Sequence, residues 1–232
     1  MCLPKMDMDN PPVGATELNG SIWRRLYSEG QGDLRYPNDV LVRLGARLFG
    51  ESKNRRVLDF GFGTGANLLH FADRGFEMHG VEISENALSR TKQKLTAGGH
   101  SADLHLIGAG EALPYADCHF QIVYAWQVLY YSDPAGWMST VRELERVTEE
   151  GGLILVATAA PGDVSQVQAE PLGDHTYRSR VPGQEGCILT IPDRQSLAGF
   201  FPRHTLEIGE FGFQFGATST RHWIVSYRKG VL

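Results

Sequence analysis

The sequence predicts an α/β fold: a doubly wound, mostly parallel seven-stranded sheet flanked by helices. Short apolar runs, typical of buried parallel strands, alternate along the chain with segments whose apolar residues recur at helical spacing. This alternation indicates parallel strands joined by right-handed helical crossovers. The last two predicted strands, 206–213 and 221–227, are joined by a short turn and form an antiparallel pair. A chain of 232 residues holds one such domain and is too short for two.

A glycine-rich turn between the first two strands is the most informative stretch. The apolar run 57–60 leads into Gly61, Gly63 and Gly65, a helix follows, and the second strand ends on Glu82. Glycines let the backbone turn sharply and approach a ligand with no Cβ in the way. The helix start offers free N–H groups, and a carboxylate after the second strand can bind both hydroxyls of a ribose. The stretch therefore predicts a site for a nucleoside-containing cofactor.

Two cofactor classes fit this turn. Gly61, Gly63 and Ala66 satisfy the dinucleotide fingerprint G-x-G-x-x-G/A, which leaves an NAD(P)-dependent oxidoreductase open. Asp59 and Gly65 complete the pattern D-x-G-x-G-x-G, which resembles motif I of the class I S-adenosylmethionine-dependent methyltransferases. A short-chain oxidoreductase would also carry a Tyr-x-x-x-Lys pair, and the tyrosines on and after the fourth predicted strand do not form one.

Three further segments extend the resemblance. Residues 108–114 resemble the family's adenine-binding segment G-D-A-E-x-L-P-F, with Ala109 at the position of the usual aspartate. Residues 120–133 resemble F-D-x-V-x-x-x-x-x-L-x-x-x-x-D, with Gln121 for its aspartate, and residues 142–152 resemble R-E-x-x-R-V-L-K-P-G-G. The resemblance implies a Rossmann-like methyltransferase fold and a small-molecule methyltransferase that uses S-adenosylmethionine and releases S-adenosylhomocysteine.

The resemblance, which covers about residues 36–160, also implies roles for individual residues. The loop glycines would contact the methionine part of the cofactor, Glu82 would hold the ribose, and Ile83 would pack on the adenine. The cofactor-binding set implied in this way is Asp59, Gly61, Gly63, Gly65, Glu82, Ile83, Gly110, Glu111, Ala125, Trp126 and Tyr36. Because Ala109 and Gln121 depart from the family pattern, a catalytically degenerate protein that binds the cofactor and acts as a partner also stays open.

The segment before the first strand is predicted to form a tail and a lid. Residues 1–16 contain three prolines and little apolar periodicity, which indicates a flexible tail. Residues 17–232 are interpreted as a single domain. Helices at 17–29 and 38–49 form its helical lid, residues 17–52, which by the resemblance covers cofactor and substrate. The candidates to close the pocket are Trp23, Tyr27, Arg35 and Tyr36, with simple core packing as the alternative for Trp23.

The other elements follow in order. The predicted strands lie at Arg56–Phe60, 76–81, 102–107, 120–125 and 153–159, and the predicted helices at 65–74, 85–96 and 134–148. Residues 161–192 are polar and rich in turn residues, so we interpret them as a substrate-side insertion that contains a candidate hairpin of 176–181 and 187–191. A short helix at 193–200 precedes the final strand pair.

Methyl transfer makes no catalytic residue compulsory. The protein must align the reacting groups and exclude water, because the cofactor supplies the activated carbon. An amine or thiolate acceptor needs little more, whereas a hydroxyl usually needs a general base. The predicted catalytic residues are Tyr130 and Tyr131, which follow the fourth strand, and His175 in the insertion. Further candidates past strand ends are Trp126, Tyr177 and His222, the last with a cross-strand surface contact as its alternative role.

Charge and cysteine pattern limit the binding partners and the cellular compartment that we expect. A net charge of −5 and a pI of about 5.9 disfavour nucleic acid and leave a small-molecule substrate as the expected partner. The cysteines Cys2, Cys118 and Cys187 have no metal-ligand spacing and no disulfide framework, so we expect no metal site and a reducing cytoplasm. No apolar stretch has the length of a membrane span, and the N-terminus lacks a secretory-signal pattern. We expect a monomer or a homodimer.

Overall fold

The computed structural model describes residues 14–52, 55–201 and 205–230. Helices α1 to α7 span Ala15–Ser28, Asp39–Leu48, Ala66–Asp73, Glu85–Gly98, Pro134–Val147, Val164–Val167 and Arg194–Leu197, and a 3-10 turn spans Ala198–Phe200. Strands β1 to β10 span Arg56–Phe60, Glu77–Glu82, Asp103–Leu106, Phe120–Trp126, Thr148–Ala159, Ala169–Gly173, Thr176–Ser179, Ile188–Thr190, Glu207–Phe215 and Thr218–Arg228.

Seven strands form the main sheet in the order β3-β2-β1-β4-β5-β10-β9. Strands β1 to β5 are mutually parallel, and β10 runs antiparallel to both β5 and β9. The predicted fold class is confirmed, including the antiparallel pair at one edge. The strand order reverses between β1 and β4, and in sheets of this kind ligands bind in the crevice at the carboxyl ends of the strands beside such a reversal.

Helices pack on both faces of the sheet, which gives two hydrophobic layers. One layer joins α1 and α5 to the sheet and includes Leu26, Trp137 and Leu144. The other joins α2, α3 and α4 to the opposite face and includes Leu41 and Phe71. The central strands bury side chains on both faces, as expected of parallel strands covered by helices on each side.

Polar caps fix the starts of the helices that border the crevice. The Asn38 side chain accepts hydrogen bonds from the N–H groups of Val40 and Leu41 at the start of α2. The Ser84 side chain accepts one from the Ala87 N–H at the start of α4. Asn and Ser are both residue types that N-cap positions favour.

The N-terminal helix begins earlier than predicted. Helix α1 starts at Ala15, so residues 15 and 16 of the predicted tail are helical. Gly14 is the N-cap of this helix, and residues 1–13 of the predicted tail lie outside the described residues. These two residues, Ala15 and Thr16, extend the helix by about half a turn, with no proline between them and the apolar residues that follow.

The insertion forms a small sheet of its own, in the order β6-β7-β8. The predicted hairpin is present as the antiparallel pair β7 and β8. Strand β6 was missed because its sequence, AEPLG, contains Pro and Gly and is mostly exposed, which is typical of an edge strand rather than of an apolar core strand.

Two other boundaries differ from the predictions. Strand β5 begins at Thr148, so Gly151 and Gly152 lie inside the strand, whereas the predicted strand began at residue 153. Strands β9 and β10 are longer than predicted and meet at a tight turn in which Gly216 has φ 60°. Within the described ranges, no helix is both long and apolar enough to cross a membrane.

Candidate functional site

The glycine turn after β1 has a backbone that only glycine adopts without strain. Gly61, Gly63 and Gly65 have φ of 73°, 55° and 80°, in the left-handed region. A Cβ on Gly61 would lie 2.8 Å from Val128 Cγ2, and a Cβ on Gly65 would lie 2.5 Å from Thr91 Cγ2. The turn is therefore closely packed from behind, which fixes the direction of its N–H groups.

The Glu82 carboxylate holds the turn from the end of β2. Its Oε2 accepts a 2.9 Å hydrogen bond from the Gly63 N–H, and its Oε1 accepts bonds of 2.8 Å and 3.0 Å from the N–H groups of Ile83 and Ser84. Burial raises the pKa of Glu82, and the three N–H donors oppose that rise. Because a carboxylate offers about four acceptor positions, a ribose would find one free position, rather than the two that were expected, unless the side chain turns.

Asp59 lies beneath the turn, inside the sheet. Its Oδ2 accepts a 2.7 Å hydrogen bond from the Tyr124 hydroxyl of β4. Burial raises the pKa of Asp59 to about 8; the Tyr124 bond lowers it, and the nearby Glu82 raises it further. Tyr124 was not singled out from the sequence, since a tyrosine in the middle of an apolar strand gives no sign of a carboxylate partner.

Tyr27 of α1 reaches the outer side of the glycine turn. A Cβ on Gly63 would lie 2.8 Å from the Tyr27 hydroxyl oxygen. Burial raises the pKa of Tyr27, and the charges of Glu82 and Asp59 add to the rise. The hydroxyl is therefore protonated at neutral pH and lies near both carboxyl groups. That Tyr27 closes the pocket stays a prediction.

The loop after α1 is tied to the same turn. Thr64 Oγ1 accepts a 3.1 Å bond from the Leu34 N–H, and Lys94 Nζ donates to both the Asp33 carboxylate and the Thr64 carbonyl. The position of Tyr36 does not support the prediction that it binds the cofactor. Its side chain is 76% exposed because the loop turns it towards solvent, where the Arg35 guanidinium lies 6.0 Å from the ring.

Helix α1 covers the predicted adenine side. A Cβ on Gly20 would lie 3.2 Å from the Ala109 Cβ and 3.7 Å from the Ile83 Cδ1. Gly20 thus allows α1 to approach a pair of residues that the resemblance placed beside the adenine. The Glu111 carboxylate accepts a 2.8 Å bond from the Gly108 N–H and closes its own loop. Gly110 has φ 81° and is exposed, so its N–H is accessible.

The carboxyl end of β4 carries Ala125 and Trp126, two residues of the predicted cofactor-binding set. Ala125 is fully buried in the layer under α1 and α5. The Trp126 ring faces the other layer and stacks on Phe211 of β9 with centroids 5.6 Å apart. Its Nε1 is buried without a hydrogen-bond partner among the described residues. The side chains of Ala125 and Trp126 therefore lie on opposite faces of the sheet at the end of β4.

Tyr130 and Tyr131 lie together beyond that strand end. The Tyr130 hydroxyl donates to the Tyr131 hydroxyl at 3.0 Å, and Tyr131 donates to Gln184 of the insertion at 3.0 Å. Trp23 of α1 contacts Tyr131 edge-on. Burial raises the pKa of both tyrosines, so they remain neutral hydroxyls at pH 7. They can position an acceptor, but they are poor bases.

His175 lies apart from the tyrosine pair. It occupies the turn between β6 and β7 with φ 62°, and its carbonyl accepts a hydrogen bond from the Ile191 N–H. Within the described residues, no hydrogen bond or ring contact joins His175 to either tyrosine. Its predicted catalytic role therefore stays a prediction.

His222 is the histidine that the fold brings to the crevice. It lies within β10 opposite Ala159, the last residue of β5, is 6% exposed, and contacts Gln127 directly after β4. It is buried, not a surface cross-strand partner. The sequence could not rank it above His175, because its partners come from segments that are distant in the chain.

Comparisons with known proteins agree with this architecture. A family model described as a methyltransferase domain matches residues 57–152. The chain is 33% identical over 114 residues to a malonyl-(acyl-carrier protein) O-methyltransferase of Erwinia pyrifoliae, a match that covers 49% of this chain and 41% of that protein. The chain thus spans about half the length, or less, of the first curated relatives it matches.

Solved structures show the same fold at low sequence identity. A methyltransferase of Methanosarcina mazei superposes with a TM-score of 0.70 at 15% identity, covering 85% of this chain and 100% of that one. The 1,6-didemethyltoxoflavin-N1-methyltransferase of Burkholderia thailandensis superposes with a TM-score of 0.68 at 14% identity, covering 97% and 98% of the two chains. The structure of that protein holds S-adenosylhomocysteine.

Proposed function

Because the chain belongs to the class I S-adenosylmethionine-dependent methyltransferases, we propose that it transfers a methyl group to an oxygen or nitrogen of a small-molecule acceptor, mainly by positioning. The observation that supports this best is the Glu82 carboxylate, which three N–H groups hold beneath a glycine turn. The comparisons favour S-adenosylmethionine over the nicotinamide nucleotides that the glycine spacing alone left open.

The site fits the cofactor by its own geometry. The three positive-φ glycines carry no Cβ, and the Tyr27 hydroxyl lies 2.8 Å from where a Cβ on Gly63 would be. On this proposal the backbone of the turn contacts the methionine portion, with Tyr27 beside it. Glu82 would hold the ribose, and Ile83 would pack on the adenine beside α1. The cofactor, when bound, supplies a methyl carbon already activated by its sulfonium.

The acceptor side is built from aromatic rings and neutral hydroxyls. Trp23 and Tyr131 form an edge-on pair with centroids 4.8 Å apart, and Tyr130 links to Tyr131 through its hydroxyl. This wall can orient a planar or cationic acceptor through ring faces and exclude water from the transfer. Such placement lowers the barrier without a charged catalytic group.

The curated relatives suggest one concrete acceptor class to test. They are named for O-methylation of a malonyl group on an acyl carrier protein. A carboxylate acceptor is already an anion, so it needs no general base. We therefore test two kinds of methyl acceptor: an acyl chain on a carrier protein and a free small molecule. A cytoplasmic location and a monomeric or homodimeric state remain part of the same proposal.

The experiment is a transfer assay with methyl-tritiated S-adenosylmethionine and one acceptor at a time. The acceptors are malonyl-loaded acyl carrier protein, a series of phenols and a series of amines. We expect label in at least one acceptor, with Tyr131→Phe and Trp23→Ala each lowering the transfer rate. If S-adenosylhomocysteine binds but no acceptor in a cell extract takes up label, the degenerate, non-catalytic alternative is favoured instead.

A further inference from the structure

A buried histidine at the carboxyl edge of the sheet is not used by the positioning mechanism. The His222 Nε2 lies 2.9 Å from the Gln127 Nε2. Its Nδ1 faces the Asp163 carboxylate, with 4.0 Å to Oδ2, and is buried without a hydrogen-bond partner in the described part of the chain. A polar atom buried in this way has a cost that calls for a reason.

The Asp163 carboxylate is fixed behind the ring. Its Oδ1 accepts a 2.8 Å bond from the Ser165 N–H, and its Oδ2 accepts one of 2.8 Å from the Arg221 N–H. The carboxyl is only 2% exposed. A carboxylate that faces Nδ1 favours the tautomer with its proton on Nδ1, which leaves a lone pair on Nε2. The Gln127 amide then donates to that lone pair.

Gln127 occupies a position that a ligand group can take. It has φ 59°, a region that non-glycine residues seldom adopt outside functional sites. Its side chain is only half-buried. The next residue, Val128, packs against Gly61 of the glycine turn. The Nε2 of His222 therefore lies against Gln127 at the end of β4, next in the chain to the residue that packs on the cofactor turn.

Resting on the methyltransferase function proposed above, we propose that His222 is the general base for an acceptor with a hydroxyl group, an alcohol or a phenol. Asp163 orients the ring, and the Gln127 amide marks where the hydroxyl binds. As the acceptor oxygen bonds to the methyl carbon, its proton passes to Nε2. The bond between that carbon and sulfur breaks, and its electron pair stays on sulfur. The products are a methyl ether, S-adenosylhomocysteine and an imidazolium whose charge faces Asp163.

The surroundings of the ring support this role. Burial lowers the pKa of His222 and the Asp163 charge raises it, with a net lowering, so the imidazole is neutral at pH 7. The ring stacks on Phe211 at 5.0 Å. The other charged groups nearby in β9 and β10 are Glu210 and Arg221, which pair with each other. Within the described residues, Asp163 is thus the unneutralised charge that faces the ring.

The first test is the tautomer of His222, read from long-range proton–nitrogen NMR spectra of the full chain between pH 5 and 9. Signals are assigned with His222→Gln, and His105→Gln, at the opposite sheet edge, is the control. We expect a neutral ring protonated on Nδ1 above pH 7, and a lower His222 pKa in Asp163→Asn. A ring protonated on Nε2 in the wild-type protein would overturn the proposal.

The second test compares phenols with benzoic acids of the same ring substituents in the tritium assay. We expect methyl ethers, with the transfer rate at least about 100-fold lower in His222→Gln and KM changed far less. Formation of methyl esters alone, or equal rates in His222→Gln and wild type, would contradict the proposal. Calorimetry with S-adenosylhomocysteine on the same samples distinguishes a failure of the proposed base from a failure of the proposed function. Retained affinity in His222→Gln locates the loss in the base, whereas no affinity in the wild type overturns the proposed function itself.

Discussion

The Tyr124 hydroxyl donates a 2.7 Å hydrogen bond to the Asp59 carboxylate in the middle of the sheet. Both side chains are buried, Tyr124 completely and Asp59 to 2% exposure. The pair links the two strands on either side of the topological reversal, β1 and β4. It therefore fixes the backbone from which the glycine turn begins.

The first prediction concerns stability against pH. The pKa of Asp59 is raised to about 8 in the folded protein, against about 3.9 in an unfolded chain. The folded state therefore binds more protons than the unfolded state between these values, and its stability falls as the pH rises. The slope for one such group is at most about 1.4 kcal/mol per pH unit.

Asp59→Asn removes this proton uptake while retaining an acceptor for the Tyr124 hydroxyl. We expect the free energy of unfolding of Asp59→Asn to rise relative to wild type as the pH increases from about 4 to about 8. Urea unfolding at three pH values measures it. Parallel pH profiles for the two proteins would contradict the raised pKa.

The second prediction concerns the close packing behind the glycine turn. Gly65→Ala places a Cβ at φ 80°, 2.5 Å from the buried Thr91 methyl. The left-handed backbone costs about 1–2 kcal/mol, and the overpacking about 1–3 kcal/mol more. The matched control is Gly99→Ala, because Gly99 has φ 73° with open space where its Cβ would lie.

Thermal or urea unfolding of the two variants separates backbone strain from the steric clash. We expect both variants to lose stability, and Gly65→Ala to lose clearly more. Equal losses would show that Thr91 moves aside freely and that the turn is not rigidly held.

The third prediction concerns the contact between lid and insertion. The Asn19 side chain donates to the Ile188 carbonyl at 2.7 Å and accepts from the Ile188 N–H at 2.8 Å. Asn19→Ala leaves both backbone groups without these bonds, at a cost of about 1–3 kcal/mol. We expect faster hydrogen exchange at the Ile188 amide. Ser21→Ala, on the exposed side of the same helix, serves as the control and should leave that amide protected.

The parallel half of the fold could be predicted from the sequence because its signals are local. Buried apolar runs, the positive-φ glycines and the caps Asn38 and Ser84 each act within a few residues. Strand β6 and the early start of β5 at Thr148 gave no such signal. Their pairing partners, rather than their own composition, make them strands.

The residues of the candidate site also fall into those with a local sequence signal and those without one. The turn and Glu82 belong to one βαβ unit, so their spacing placed them together. The group formed by Gln127, Asp163 and His222 comes from β4, the loop after β5 and β10, which only the sheet order brings together. His175 and Tyr36 were favoured for being polar or aromatic in loops, but loop position alone does not fix a direction towards the crevice.

The most direct test of the account is calorimetric titration of the purified protein with S-adenosylhomocysteine, NAD and NADP in the same buffer. Glu82→Gln replaces one of the two carboxylate oxygens with an amide N–H donor. That donor would face backbone N–H groups that bind the carboxylate in the wild type. Glu85→Gln, exposed three residues later, is its control. We predict binding of S-adenosylhomocysteine alone, about 10–100-fold weaker in Glu82→Gln and unchanged in Glu85→Gln. Binding of NAD or NADP in place of S-adenosylhomocysteine would contradict the account.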